Sequence, residues 1–239
     1  MDRKQLEEAF FKYSKLVKEV DNDLEQSIYV VGSQAIWAKH NSLSKTLMES
    51  GEIDIIPKSF TEEIDAHIEF VAGEATDFQI EHGFYIDIVE NKTISAPKKW
   101  KERVIIEKYP SKDNTEVEKE LGFKLEVKFM SPEDLLLSKM LAGREKDFVF
   151  VEDMFKFNIV SVKKINKILN NNELDHHLNQ ETATLLINRL NRYSNTYSNP
   201  RKQIRYNIEH LKNSDFEMPN ALTKQSSNGN GSIKNKFNK

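Results

Sequence analysis

The sequence predicts an α/β (α+β) protein in which a small mixed β-sheet is followed by a C-terminal helical bundle. Up to about residue 130, short strand-like apolar runs alternate with helical patterns, which is typical of a sheet covered by helices. Beyond that point the apolar residues recur at three- and four-residue steps, as in packed helices. We therefore predict an α/β domain over 1–130, a helical bundle domain over 131–219 and a disordered tail over 220–239, which is rich in Ser, Asn, Gly and Lys.

The α/β half is predicted to contain five strands and three helices. One amphipathic helix runs from Leu6 to Val20. A second helix follows the Gly32-Ser33 turn and passes through Trp37, and a third covers 64–71. The strands are predicted at 27–31, 52–56, 84–89, 104–106 and 123–129, the last with clean alternation of apolar and polar residues.

The bundle half begins with a helix-start signal. Ser131 is a capping residue, Pro132 suits the first turn, and the carboxylates of Glu133 and Asp134 face the positive end of the helix. Helical spacing of Val, Ile and Leu predicts further helices near 162–169 and 178–190. A last helix is predicted to begin at Pro200 and to carry the stripe Ile204, Ile208 and Leu211.

The composition excludes several kinds of site. Among 239 residues there is no cysteine, which rules out disulfides, thiolate zinc sites, iron–sulfur clusters and a cysteine nucleophile. No apolar run approaches the ~20 residues that span a bilayer, and the first residues lack the apolar core of a signal peptide. We expect a cytoplasmic protein without a membrane partner.

Charge divides the chain into an acidic and a basic part. Residues 156–239 carry 14 Lys and Arg against 6 Asp and Glu, whereas the residues before them carry 21 against 32. An acidic part can hold divalent metals, and a basic part can bind nucleic acid or another polyanion. A solvated surface that changes sign along the chain explains the same pattern equally well.

The basic part contains a candidate surface for RNA. Tyr193, Tyr197 and Tyr206 are interleaved with basic residues, and tyrosine rings can stack on unpaired bases. The alternative is that the tyrosines pack the bundle while the basic residues keep it soluble. The basic residues are Arg189, Arg192, Arg201, Lys202 and Arg205.

Three carboxylates on predicted strands form the candidate catalytic group. Glu52 and Asp54 are two residues apart on one strand, so their side chains leave the same face, and Asp87 lies in the middle of another apolar strand. A hard divalent cation would relieve the repulsion among them. The Gly32-Ser33 turn allows close approach of a phosphate to a helix start. Together these parts can hold a metal–nucleoside triphosphate, although each part alone is more often a turn or a solvated face.

A second cluster follows on the first bundle helices. Lys139, Gly143 and Lys146 are three or four residues apart and share one face if the helix continues. Lys139, Arg144 and Lys146 would neutralise triphosphate charge. The alternative is a solvated helix surface on which the nearby acidic residues are intrahelical partners.

These segments resemble the nucleotidyltransferase-like proteins of the DNA polymerase β superfamily, and in particular an uncharacterised bacterial group related to the AbiEii-type toxins. The resemblance covers about residues 27–155 and rests on five segments. The most specific is the Lys-x-x-Ala-x-Arg-x-Lys-Asp run that begins at Lys139, and a Pro-x-x-Trp-x-x-Arg segment begins at Pro97. The other three are Val30-Val31-Gly32-Ser33-Gln34-Ala35-Ile36, Glu52-Ile53-Asp54 and Ser131-Pro132-Glu133-Asp134-Leu135.

The resemblance implies a Mg²⁺-dependent (or Mn²⁺-dependent) nucleotidyltransferase that transfers a nucleoside monophosphate from a triphosphate to a hydroxyl. The acceptor stays open between a tRNA end, a protein side chain and a small molecule, and the basic part of the chain favours RNA. It implies that Gly32, Ser33, Lys139, Arg144 and Lys146 bind the nucleotide. It implies metal and catalytic roles for Glu52, Asp54 and Asp87, the last orienting or activating the acceptor hydroxyl. It also implies a toxin-like role in a toxin–antitoxin or defence system, with a protein partner that restrains the enzyme.

Two features keep a non-catalytic alternative open. The first metal ligand is Glu52 where Asp is usual, and the gap from the Gly-Ser turn to Glu52 is longer than usual in the superfamily. The alternative is therefore an inactive nucleotidyltransferase fold that binds nucleotide, nucleic acid or protein without turnover. A two-domain scaffold without a ligand is a third interpretation.

Overall fold

The computed structural model describes residues 1–21, 27–38, 47, 50–110, 119–198 and 202–211. The α/β (α+β) fold class is confirmed: a five-stranded mixed sheet is followed by a helical region. The strands are β1 (Ser27–Val30), β2 (Glu52–Pro57), β3 (Tyr85–Ile88), β4 (Ile105–Tyr109) and β5 (Leu125–Phe129). The helices are α1 (Arg3–Val20), α2 (Glu62–Ala72), α3 (Asp77–His82), α4 (Pro132–Ala142), α5 (Glu145–Lys156), α6 (Val162–Asn170) and α7 (Gln180–Tyr197).

The strand order across the sheet is β3-β2-β1-β5-β4. β1 pairs antiparallel with β2 and parallel with β5, while β2 and β3 are parallel and β4 and β5 are antiparallel. β5 alternates between buried and half-buried residues, as the sequence pattern predicts for a strand with one face toward the core.

Apolar side chains from the sheet and from both groups of helices form one continuous hydrophobic cluster. α1 begins at a capping box in which Asp2 accepts from the amide of Gln5. It packs on α2 and contacts β3. The helix predicted after the Gly-Ser turn is a six-residue 3₁₀ helix, Ser33–Ala38, which contacts α4 and the strands β2, β4 and β5.

The predicted helix start at Ser131 is confirmed. Ser131 caps α4, and its hydroxyl oxygen accepts from the amide of Asp134 at 3.2 Å. α4 does not continue into the next helix, because Gly143 takes a left-handed conformation with φ 66° and ends it. The condition under which Lys139, Gly143 and Lys146 would share one helical face is therefore not met, and α5 begins anew at Glu145.

The predicted last helix, on Ile204, Ile208 and Leu211, is wrong. Residues 202–208 form neither a helix nor a strand, and from Gln203 to Ile208 exposed side chains alternate with less exposed ones. The side chain of Asn191 in α7 makes two hydrogen bonds to the backbone of Ile204. Its Oδ1 accepts from the amide of Ile204 at 2.7 Å, and its Nδ2 donates to the carbonyl at 2.9 Å. Side-chain hydrogen bonds therefore replace the helical ones that the spacing predicts. Pro200 lies outside the described residues, and so does the predicted tail over 220–239.

Among the helices of the described residues, none combines the length and the apolar character that crossing a membrane requires.

Candidate active site

Asp54 and Asp87 lie side by side on the parallel strands β2 and β3. The strand register pairs these two residues directly, and it pairs Glu52 with Tyr85 two positions earlier. The alternation of burial along β2 places Glu52 and Asp54 on the face opposite to the buried Ile53 and Ile55. One face of the sheet therefore carries all three predicted carboxylates, as period-two geometry requires.

The turn that follows β1 packs directly against Asp54. Gly32 has φ 62°, and the amide of Val31 donates to the backbone carbonyl of Asp54 at 3.0 Å. A Cβ atom on Gly32 would lie 1.6 Å from Oδ2 of Asp54. Only glycine fits here, because the backbone conformation is left-handed and the carboxylate occupies the space of a side chain.

Burial raises the pKa of Asp54 from 3.8 to about 6, and the charges of Glu52 and Asp87 add to this effect. The cations Lys139 and Arg144 act in the opposite direction. Burial also raises the pKa of Asp87, and further carboxylates add to it: Glu52, Asp65, Glu74 and Glu69. The cleft therefore has cations close to Asp54 and an excess of negative charge around Asp87.

Tyr85 holds Glu52 in place. Its hydroxyl donates to Oε2 of Glu52 at 3.0 Å, and its pKa is raised by burial and by this carboxylate. Because one oxygen of Glu52 already accepts this bond, Glu52 has less freedom than Asp54 or Asp87 to bind another group.

The opposite wall consists of the end of α4 and the start of α5. The buried carboxylate of Asp147 accepts two hydrogen bonds from Arg144, at 2.7 and 3.1 Å, and lies 3.4 Å from Nζ of Lys139. These bonds raise the pKa of Arg144. Lys146 is exposed, and within the described part of the chain its ammonium group has no partner. Asp147 thus orients two cations and leaves a third free for a ligand.

The two walls enclose a cleft of about 420 Å³ that continues into a second lobe of about 330 Å³. Both lobes are bounded by Glu52, Lys139 and Lys146. Every site residue predicted from the sequence lines this groove: Gly32, Ser33, Glu52, Asp54, Asp87, Lys139, Arg144 and Lys146. Their roles in binding and catalysis stay predictions.

The carboxylates fit a metal ion only in part. Within the described residues, no three Asp, Glu or His side chains come close enough to form a ready cation site. Burial is the main cause of the raised pKa of Asp54, but the charges of Glu52 and Asp87 add to it, and a bound cation would relieve their repulsion. A Mg²⁺ ion held here by Glu52, Asp54 and Asp87 would therefore need phosphate oxygens of the nucleotide as additional ligands.

The sequence does not identify two residues that contact the predicted site residues, Asp147 and Tyr85. Asp147 was interpreted only as a partner within a solvated helix, yet it is 1% exposed and bridges two helices. Its signal was its place at the end of the Lys-x-x-Ala-x-Arg-x-Lys-Asp run. No sequence pattern indicates the role of Tyr85, because its hydrogen bond to Glu52 depends on the register of β2 against β3.

The Pro-x-x-Trp-x-x-Arg segment joins the sheet to the helices. Arg103 donates to both oxygens of Asp134, at 2.6 to 3.2 Å, and its other terminal nitrogen lies 2.7 Å from Oε2 of Glu173. Asp134 and Glu173 are 0% and 3% exposed. Trp100 packs edge-on against Tyr29 of β1, with 5.4 Å between ring centroids. The segment does not line the cleft of the carboxylates.

The hydroxyls of the three tyrosines in the predicted RNA surface donate hydrogen bonds to other residues of the helical region. The hydroxyl of Tyr193 donates to the carbonyl of Phe148 at 3.5 Å, and that of Tyr197 donates to Glu152 at 2.6 Å. The hydroxyl of Tyr206 donates to Asp175. These contacts favour the packing interpretation of the tyrosines, while Arg201 lies outside the described residues.

A mixed sheet with acidic side chains on adjacent strands, a Gly-Ser turn against one of them and cations opposite is the architecture of a nucleotidyltransferase-like protein. In agreement, the model of a family described as nucleotidyltransferase of unknown function (DUF6036) matches residues 5–198, and the chain belongs to that family. No curated protein and no solved structure matches the sequence. The relationship to the AbiEii-type toxins stays a prediction from the sequence.

Proposed function

We propose that the protein transfers a nucleoside monophosphate from a nucleoside triphosphate to a hydroxyl acceptor. One observation carries this proposal: the paired carboxylates Asp54 and Asp87 face Lys139, Arg144 and Lys146 across a single cleft. Cations opposite carboxylates suit a triphosphate on one side and a proton acceptor on the other. The family description supports the same class of reaction.

The chain's own residues divide the work along the cleft. Lys139, Lys146 and the turn at Gly32 would hold the phosphates, and Asp147 keeps Lys139 and Arg144 oriented. When Mg²⁺ or Mn²⁺ is bound at the carboxylates, it neutralises charge that develops on the phosphate oxygens. Burial and the neighbouring carboxylates raise the pKa of Asp87, which makes it a stronger base than an ordinary aspartate.

In the proposed reaction, the acceptor oxygen forms a bond to the α-phosphorus. The bond from that phosphorus to the oxygen bridging to the β-phosphate breaks, and pyrophosphate leaves with the electron pair. The proton of the acceptor hydroxyl passes to the carboxylate of Asp87. Lys139 and Lys146 stabilise the charge on the departing pyrophosphate.

The direct test is labelling. The protein is incubated with each α-³²P-labelled triphosphate, Mg²⁺ or Mn²⁺, and total cell RNA and protein, and the labelled product is separated on gels. We expect label in one macromolecular class with the wild-type protein and none with Asp54→Asn. Equal labelling by Asp54→Asn would overturn the proposal.

RNA is the first acceptor class to test on the basic face of the helical region. Phosphate contacts make affinity fall steeply as salt rises. We therefore expect that reversal of Arg201, Lys202 and Arg205 to Glu abolishes RNA binding but leaves nucleotide binding intact. RNA affinity that is negligible at low salt, or that survives the reversal, would direct the search to protein or small-molecule acceptors. A toxin role with a restraining protein partner rests on the sequence resemblance and belongs to the same proposal.

Nucleotide binding without turnover is the second candidate function. It is favoured by the lack of three converging acidic or histidine side chains among the described residues and by the bond that ties Glu52 to Tyr85. Metal-dependent triphosphate binding by the wild-type protein, without transfer of label to any acceptor, would support this candidate over the enzyme.

A further inference from the structure

The second lobe of the groove differs in chemistry from the first. Carboxylates and cations line the first lobe, whereas the second ends on the apolar side chains of Val149 and Phe150. Val149 is 55% exposed and Phe150 is half-buried, so apolar surface remains open to a ligand. The two lobes meet at Lys139 and Lys146, where the phosphates are placed by the proposed function.

The start of α5 spans both lobes along one face. Lys146, Val149 and Phe150 are related by steps of three and four residues, which places them on the same side of the helix. The axial rise from Lys146 to Phe150 is about 6 Å, a separation that one ribose can span. Nζ of Lys139 lies 5.6 Å from the centroid of the Phe150 ring, so a cation borders the aromatic surface.

We propose that this lobe binds the nucleobase of the triphosphate, with the base against the ring of Phe150. The inference rests on the proposed function and deepens it by naming the subsite that binds the nucleoside. A nucleobase is a flat, polarisable ring, and stacking on an aromatic side chain is its commonest sequence-tolerant contact with protein. The lobe volume of about 330 Å³ has room for a purine.

The uncharged polar side chains of the lobe do not select one base. Ser33 and Ser50 contribute hydroxyls, and among the described residues neither hydroxyl has a hydrogen-bond partner. A hydroxyl can donate or accept, so it satisfies either the amino group of adenine or the carbonyl of guanine. We therefore expect ATP and GTP to bind with similar affinity, because stacking area and not a donor–acceptor pattern provides the recognition.

The experiment compares ATP with inorganic tripolyphosphate, which has the phosphates but no base. Calorimetric titrations in Mg²⁺ are made with the wild-type protein, Phe150→Ala, and Phe157→Ala as the matched control. Phe157 lies at the end of the same helix, is 45% exposed and does not line the groove. We expect Phe150→Ala to weaken ATP binding about tenfold or more and to leave tripolyphosphate binding unchanged, while Phe157→Ala changes neither.

Each outcome has a defined meaning. If the wild-type protein binds ATP no more tightly than tripolyphosphate, or if Phe150→Ala binds ATP normally, the nucleobase assignment is wrong although the phosphate site stands. If the wild-type protein binds neither compound, the proposed function and the inference fall together. Phe150→Leu retains apolar volume but removes the ring, so a selective loss of ATP binding in this variant supports stacking even where Phe150→Ala does not fold.

Discussion

The backbone of Gly32 and the carboxylate of Asp54 occupy adjoining space, so that an added Cβ would lie 1.6 Å from Oδ2 of Asp54. The turn and the strand are thus built around each other, and the position of the predicted metal ligand depends on a residue with no side chain. Since Gly32 also has a left-handed φ, this contact combines a steric and a conformational requirement in one place.

Gly32→Ala should displace Asp54 and abolish nucleotide transfer. Gly83→Ala is the matched control, because Gly83 also has a left-handed φ but nothing lies within 4 Å of an added Cβ. Both variants should lose about 1 kcal/mol of stability from the backbone conformation, and only Gly32→Ala should also lose activity and the further stability that the clash costs. Chemical denaturation and the labelling assay measure the two effects. If the two variants have the same stability and the same activity, the clash between the added Cβ and Asp54 has no effect on either.

Asp54→Asn should stabilise the protein at neutral pH and not at acid pH. The folded-state pKa of about 6 lies above the unfolded value of 3.8, so the folded protein binds the proton more tightly, and its stability falls as pH rises from about 4 to 6. Removal of the charge should recover roughly 2–3 kcal/mol above pH 7, at 1.36 kcal/mol per pKa unit. Thermal melts at pH 4 and pH 8 measure the difference. Glu102→Gln, which removes an exposed carboxylate, is the control for the loss of one negative charge at the surface.

Lys139→Ala and Lys146→Ala should separate binding from folding. Loss of the proposed phosphate contact of Lys139 should weaken nucleotide affinity by ~1.5–3 kcal/mol. Because Lys139 also neutralises the buried Asp147, Lys139→Ala should lower stability as well. The exposed Lys146 has no such partner among the described residues, so Lys146→Ala should reduce affinity while the melting temperature stays within a degree or so. Calorimetry and melting curves on both proteins measure this. A stable Lys139→Ala protein would mean that Arg144 alone satisfies Asp147.

Glu69→Gln should move the acidic limb of the pH–rate profile to lower pH. Glu69 is one of the carboxylates that raise the pKa of Asp87, so its neutralisation should lower that pKa and let Asp87 accept a proton in more acid solution. Glu81→Gln on α3 is the control, because Glu81 is not among those carboxylates. An unchanged profile in Glu69→Gln would argue against Asp87 as the proton acceptor.

Arg103→Met should destabilise the protein far more than Arg3→Met. Each arginine contacts two carboxylates, but the partners of Arg103 are buried, whereas those of Arg3 are about one third exposed. Loss of Arg103 leaves Asp134 and Glu173 unpaired in the interior and should cost about 3–5 kcal/mol, against at most ~1 kcal/mol for Arg3. Urea denaturation measures both values. Similar losses would show that water reaches the buried carboxylates.

The sequence by itself determined the strands, most of the helices and the residues of the cleft. Period-two patterns identify β2 and β5 because one face of each strand is buried, and a Ser-Pro-Glu-Asp start identifies α4 because capping chemistry is local. Glu52 and Asp54 share a face through the same local geometry. These features follow from neighbours within a few residues, and sequence patterns record such neighbours directly.

Only the tertiary structure decided how these elements meet. The register of β2 against β3 places Asp54 beside Asp87 and Tyr85 beside Glu52. The left-handed conformation of Gly143 ends α4 and changes the direction of the chain, so that Asp147 of α5 contacts Lys139 of α4. The segment at Ile204 is not helical, and Asn191 supplies to its backbone the hydrogen bonds that a helix would have made within itself. Each of these depends on residues that are distant or on opposite sides of a turn, and helical spacing alone carries no information about such partners.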